Sequence, residues 1–200
     1  MDRAPIKIAL LLDTLAALLG LISGCQPAGP LGQAGVELTP PASWRPVEAS
    51  AQIVPGVPLA AWSGPDGSSL VLYRTLWVPA GTAEMLAEAL GNRLENLPGL
   101  RLLVKRTETA GGRAAARVEV VAPGTGGALA ATGLGTPVEP TGKTLFPTRQ
   151  VTLGFARPGD TLYLTWHVPE SSYQQIAPEI QTTLDSLRFA ASGKPSSSAD

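Results

Sequence analysis

The 200 residues contain one histidine and one cysteine, so chemistry based on either is confined to a single position. His167 lies in an apolar run, Leu162 to Val168, with Glu170, Ser171 and Ser172 just beyond it. A general base works with an orienting acid and a nucleophile within hydrogen-bond reach. His167 with Glu170 and either serine would meet that need as a hydrolase. The competing reading is structural. Alternation along a strand sets His167 on the face of Tyr163 and Thr165, where a packed sheet buries it. The structural reading is preferred, and no catalytic residue is expected.

A second cluster is cationic. Arg101, Lys105, Arg106, Arg113 and Arg117 fall in two successive runs, offset only by Glu108 and Glu119. Sharing a face, they would dock on lipid headgroups, a polyanion or an acidic partner. The alternative is a solvated face with ion pairs such as Arg117 to Glu108, each worth little. Of four tryptophans, Trp62 and Trp77 could line a groove for a small ligand, although large aromatics ordinarily fill cores.

Other chemistries are excluded by spacing or count. Gly142-Lys143-Thr144 ends like a phosphate loop, but Pro137 stands where the first glycine is required. Gly124, Gly126 and Gly127 follow a strand without opening a helix, so they are no dinucleotide fingerprint. One Cys and one His rule out an internal disulfide and a Cys/His zinc site. A net charge of -1 leaves no footprint for nucleic acid. No cofactor or metal is expected.

The cysteine belongs to a different pattern. Arg3 and Lys7 precede an apolar stretch, Ile8 to Ile22, interrupted by Asp13. A spanning helix needs about 20 apolar residues, so this stretch is too short. It fits the core of a secretory signal. Ile22, Ser23 and Gly24 then lead into Cys25. This resembles the lipobox of bacterial lipoproteins. The resemblance implies a signal peptide over 1–24, cleavage before Cys25 by signal peptidase II, and diacylglycerol on its thiol. It also implies membrane attachment outside the cytoplasm. Gln26, in place of the aspartate that favours inner-membrane retention, leans toward the outer membrane. Residues 25–35 read as the lipidated Cys and a tether, and 190–200 as a disordered Ser-rich tail.

A single domain is expected over 36–189, and its elements must position these groups. Six strands are expected. Val57 to Trp62 and Ser69 to Val78 flank the turn Ser63 to Ser68. Leu100 to Thr109 and Gly112 to Ala122 form a hairpin. Phe146 to Ala156 and Thr161 to Val168 flank Arg157-Pro158-Gly159-Asp160. Both faces of Ser69 to Val78 are apolar, which suggests a strand covered on both sides. Leu86, Leu90, Leu94 and Leu97 mark a helix capped by Thr82 and stopped by Pro98-Gly99. Tyr173, Ile176, Ile180, Leu184 and Leu187 mark a second. Ser172 and Gln175 suggest a capping box for it, and Pro178 suggests a late start or a kink. Residues 123–145 form a Gly/Pro-rich insertion, read as disordered. The class is α+β: a mostly antiparallel sheet of about six strands with two main helices packed on it, an αβα sandwich.

This layout resembles the Mog1/PsbP-like superfamily. The resemblance is carried by Pro41 to Trp44, the Leu-striped helix, and the ending. That ending is a strand Leu162 to Val168, Pro169, Tyr173, and a helix closing with Asp185 to Phe189. It implies an antiparallel sheet between helices and a protein that binds or assembles something. No functional residue of the superfamily carries over. The function expected is a membrane-anchored extracytoplasmic lipoprotein, a non-enzymatic binding or assembly module of the cell envelope. The alternatives are a hydrolase using His167 and a small-ligand carrier with a Trp-lined pocket. A deep polar cleft at His167 would favour the first, and a dry Trp-lined cavity the second.

Overall fold

The computed structural model describes residues 30–48, 56–75, 81–123 and 146–190. Expectations for Ile22, Ser23, Gly24, Cys25, Trp77, the insertion 124–145 and the tail from 191 lie outside the described residues.

Six long strands are where alternation and turn residues put them: β3 (Val57–Ser63), β4 (Ser69–Thr75), β5 (Arg101–Ala110), β6 (Arg113–Ala122), β7 (Thr148–Arg157) and β8 (Asp160–Pro169). The tight turns rest on glycines with positive φ, Gly111 and Gly112 in one hairpin and Gly159 in another. A short strand β2 (Arg45–Val47) joins the edge. The sheet thus has seven strands, in the order β2-β3-β4-β8-β7-β6-β5, all antiparallel. The seventh has no buried residue and contains Pro46, which an edge strand tolerates. A separate two-residue pair, β1 (Val36–Glu37) with β9 (Arg188–Phe189), joins the two ends of the domain.

Helix α2 (Ala83–Glu95) packs on one face of β5, β6 and β7. Thr82 Oγ1 accepts from the Met85 amide at 3.3 Å, satisfying one of the orphan donors of the first turn. Leu86, Leu90 and Leu94 bury against Ala116, Val118, Val120 and Tyr163. Helix α3 (Tyr173–Ser186) lies on the other face, over Leu153, Phe155, Leu164 and Trp166. Alternate residues of β4 enter the two cores, Leu70 and Leu72 on one side, Val71 and Tyr73 on the other. The architecture is therefore the α+β sandwich expected, with two helices enclosing one sheet.

The second helix starts where Ser172 and the stripe from Tyr173 put it, so of the two readings of Pro178 the late start is the one not met. It begins at Tyr173 and runs through Pro178. The ring costs the helix one backbone bond. Burial of Ile176, Ile180 and Leu184, each at most 4% exposed, outweighs that loss. Ser172 does not cap it with its side chain; its hydroxyl donates instead to Asp66 Oδ2 at 3.1 Å. The helix ends at Ser186, and Arg188–Phe189 leave it as a strand.

The stretch read as a tether contains a helical turn, α1 (Pro30–Gln33), and a buried Ala34. Arg157 Nη1 donates to the Ala34 carbonyl at 2.6 Å. From there the chain forms an arm along α3. The Thr39 amide donates to Ser186 Oγ at 3.0 Å, and Trp44 Nε1 donates to Glu179 Oε2 at 2.6 Å. Gly64 lies directly under the Trp44 ring, where a Cβ would come within 2.6 Å of Cε2.

Candidate functional site

The sheet face that carries α3 is not covered as far as β5. Its open part is floored by charged side chains. Alternation puts Arg106 and Glu108 of β5, Arg117 and Glu119 of β6, and Arg149 of β7 on this face. Arg106 and Arg117 are direct cross-strand partners, an arrangement that by itself repels. The carboxylates resolve it. Glu108 receives Arg106 Nη2 at 3.0 Å and Arg117 Nη1 at 3.2 Å. Arg117 also holds Glu119 Oε1, through Nε at 2.8 Å and Nη2 at 2.6 Å. Arg149 Nη1 lies 3.7 Å from Glu119 Oε2, and its Nε and Nη2 reach the two oxygens of Glu170 at 3.0 and 3.1 Å.

The result is a ladder of alternating sign from mid-β5 to the start of α3. The Tyr173 ring caps it. The Arg149 guanidinium sits 3.8 Å over that ring, and the Tyr173 hydroxyl donates to Glu119 Oε2 at 3.4 Å. The centre is dry: the Arg117 and Glu119 side chains are 11% and 6% exposed. Burial pulls the Arg117 guanidinium down from its ordinary value. The hydrogen bonds and charge of Glu119, then those of Glu108, outweigh this and hold it above. At its upper end the trough opens into a polar hollow of about 260 Å³ between the β5–β6 turn and α3, lined by Glu108, Thr109, Gly111, Gln181, Asp185 and Arg188.

The five cations singled out in the sequence divide across the sheet. Arg101, Arg106, Arg113 and Arg117 share the trough face. Lys105 points the other way, onto α2, where Nζ meets Glu88 Oε2 at 2.8 Å. Arg106 and Arg117 are neutralised in the ladder, Arg113 stacks 4.8 Å over the Phe189 ring, and Arg101 is exposed at the edge. The Arg117 to Glu108 pair is present as the sequence suggested. Arg149, Glu170 and Tyr173 were not visible as members of the ladder. Their signal is their place on the same face as Arg117, which needs the β6–β7 register to be read.

The His167 group is not assembled for catalysis. His167 is fully buried on the α2 side of β8, with Nδ1 3.4 Å from Ser69 Oγ. Gln150, Thr152 and Thr165 lie beside it, also fully buried. Gln150 Nε2 donates to Thr152 Oγ1 at 2.9 Å, and Thr152 and Thr165 hydroxyls meet at 3.3 Å. Glu170 is on the opposite side of the sheet, held by Arg149, and Ser172 is turned to Asp66. The sheet therefore separates the base from its supposed acid, and Ser172 is engaged elsewhere. Of the tryptophans, Trp44, Trp62 and Trp166 pack into the core under α3.

Two tyrosines on the α2 side give a pH signature. Tyr73 and Tyr163 stack at 5.1 Å between ring centroids. Burial raises both hydroxyls from the ordinary 10.0, Tyr163 to about 12 and Tyr73 further. The folded state thus keeps protons that the unfolded chain releases near pH 10, so stability is full below that point and falls as pH rises toward 12. Urea midpoints from pH 9 to 12 should show this decline, and Tyr163→Phe should make it shallower. An unchanged slope would contradict it.

Similarity to known proteins was found at the level of structure. No protein-family model matches the sequence, and no curated protein matches it as a relative. The chain is similar to LpqN of Mycobacterium tuberculosis, a protein involved in cell envelope biogenesis. The TM-score is 0.53 at 16% identity, covering 78% of this chain and 83% of that one. It is also similar to the cyanobacterial PsbP of Synechocystis, with TM-score 0.49 at 10% identity over 83% and 97% of the two chains. The likeness to LpqN shows a common fold. Among the described residues no helix is long and apolar enough to cross a membrane.

Proposed function

We propose that this protein is an extracytoplasmic lipoprotein of the bacterial envelope, anchored through Cys25, whose Mog1/PsbP-like domain acts by binding or assembly. The fold shared with LpqN, a protein of envelope biogenesis, is the observation that carries the reading. The order of elements agrees with it. Ile22, Ser23 and Gly24 before Cys25 supply the cleavage pattern, and acyl chains on one thiol would hold the domain stably once more than one is present. Gln26 favours the outer membrane. The trough beside α3 is the binding face: its charges are fixed in place by one another, so a partner meets a rigid pattern. Arg101, exposed at its rim beside the Arg106–Glu108 pair, supplies an anionic partner's first contact.

The test is processing in cells. Globomycin, an inhibitor of signal peptidase II, should cause the unprocessed precursor to accumulate, and Cys25→Ser should abolish incorporation of labelled fatty acid. Normal maturation under the inhibitor, or labelling of C25S, would refute anchoring. Binding is tested separately, by pull-down from native membranes with the wild-type chain and with Arg101→Ala/Arg106→Ala. Equal recovery of partners by both would remove the trough rim from the binding face.

A further inference from the structure

One end of the sandwich gathers both ends of the described domain. At this end lie the β5–β6 turn at Gly111-Gly112, the β7–β8 turn at Pro158-Gly159, the close of β4 and the start of α2. Helix α1 packs beside the start of β3 at the same end, and Ala34 is fixed to Arg157 there. The Ala190 amide donates to the Gly35 carbonyl at 2.9 Å, so the chain also leaves from this end. The opposite end carries the Pro65–Gly67 turn, Pro147, Glu170 and Ser171.

Only five residue steps separate Pro30 from Cys25. Fully extended, they span about 17 Å at most. Strand β7 has 10 residues, which makes the sheet about 33 Å long. A bilayer holding Cys25 is therefore within reach of one end and not forced near the other. Apolar exposure does not distinguish the ends: Val57 and Met85 are 46% and 54% exposed at this one, and Phe146 is 65% exposed at the other. The charges at the α1 end are mixed. Arg113 and Arg188 lie at this end together with Glu37, Glu84 and Asp185, and Arg157 is paired with Asp160. Attachment, not net charge, sets the arrangement.

We infer that the end bearing the two hairpin turns, α1 and the start of α2 faces the bilayer surface, and that the Pro65–Ser171 end projects away from it. The inference rests on the proposed acylation of Cys25. The test uses the full-length chain, processed in cells and reconstituted into phosphatidylcholine/phosphatidylglycerol vesicles. Acylation blocks Cys25, so Met85→Cys or Ser171→Cys presents one reactive thiol for a fluorophore. Lipids with a nitroxide on the headgroup should quench the Met85 label several-fold more than the Ser171 label. Equal quenching, or stronger quenching at Ser171, with protein floating with the vesicles would overturn the orientation and leave anchoring intact. Protein that stays off the vesicles, with Cys25 itself open to the dye, would overturn both. Free maleimide reactivity and circular dichroism of each variant confirm that the labelled chains are folded.

Discussion

Replacing Arg117 by methionine should lower the unfolding free energy by about 3–5 kcal/mol. The reason lies in what remains. Among the described residues, Arg117 is the group that holds Glu119 Oε1 and one of two that hold Glu108. Without it, the Glu119 carboxylate, 6% exposed in the wild type, is left with the Tyr173 hydroxyl at 3.4 Å and a distant Arg149 contact at 3.7 Å. Two carboxylates would then share a dry face with less than their balancing charge. Much of the loss should be recovered by a second change, Glu119→Gln, because the uncompensated charge disappears with it. Urea unfolding of R117M, E119Q and the double variant makes the cycle. Strict additivity would mean that the two groups do not interact.

The second large effect concerns the arm. Trp44→Ala should destabilise the domain by about 3–5 kcal/mol, the usual cost of emptying a buried tryptophan site. Trp44 is 5% exposed, covers Gly64 and ties Glu179 of α3 to the arm. Its loss opens a cavity and releases a carboxylate at once. Since a domain of this kind has about 5–15 kcal/mol in total, the change takes a large share. Trp44→Phe keeps most of the apolar contact and gives up the N–H, so its cost should be smaller. Circular dichroism against urea measures both. Limited proteolysis should cut W44A within the arm well before the wild type. Equal resistance of the two would show that the arm does not depend on its tryptophan.

These effects indicate which levels of the structure are readable from residues alone. The six long strands and α2 carry strong local signals: alternation, paired glycines at turns, a Leu stripe and a threonine cap. Strand β2 carries none, being three exposed residues with a central proline. Strands β1 and β9 are two residues each and form where the two ends of the domain meet. Pro178 misleads for a related reason. Its local penalty is legible, whereas the burial of Ile176 and Ile180 that overcomes it is tertiary. The ladder follows the same rule. Glu108, Arg117 and Glu119 sit on one hairpin, and their pairing can be anticipated from it. Arg149 and Glu170 join only once β7 lies beside β6 with Arg149 opposite Val121. The alternation of β8 sets His167 on the Tyr163 face, as spacing alone predicts. That Glu170 turns to the other face follows from its bonds to Arg149, which no spacing encodes.

The arm that runs from Gly35 to Trp44 has a mechanical consequence. It descends from the chain-end side of the domain alongside α3, first through the β1–β9 pair, then Thr39 on Ser186, then Trp44 on Glu179. A pull on the chain at Pro30 away from the domain runs along this line of attachments. Tension then acts as shear, loading the bonds together, whereas a perpendicular arm would unzip them one by one. Forced detachment is governed by the rate of that first rupture. The arm is thus a splice that passes tension from the chain before it into the domain as shear.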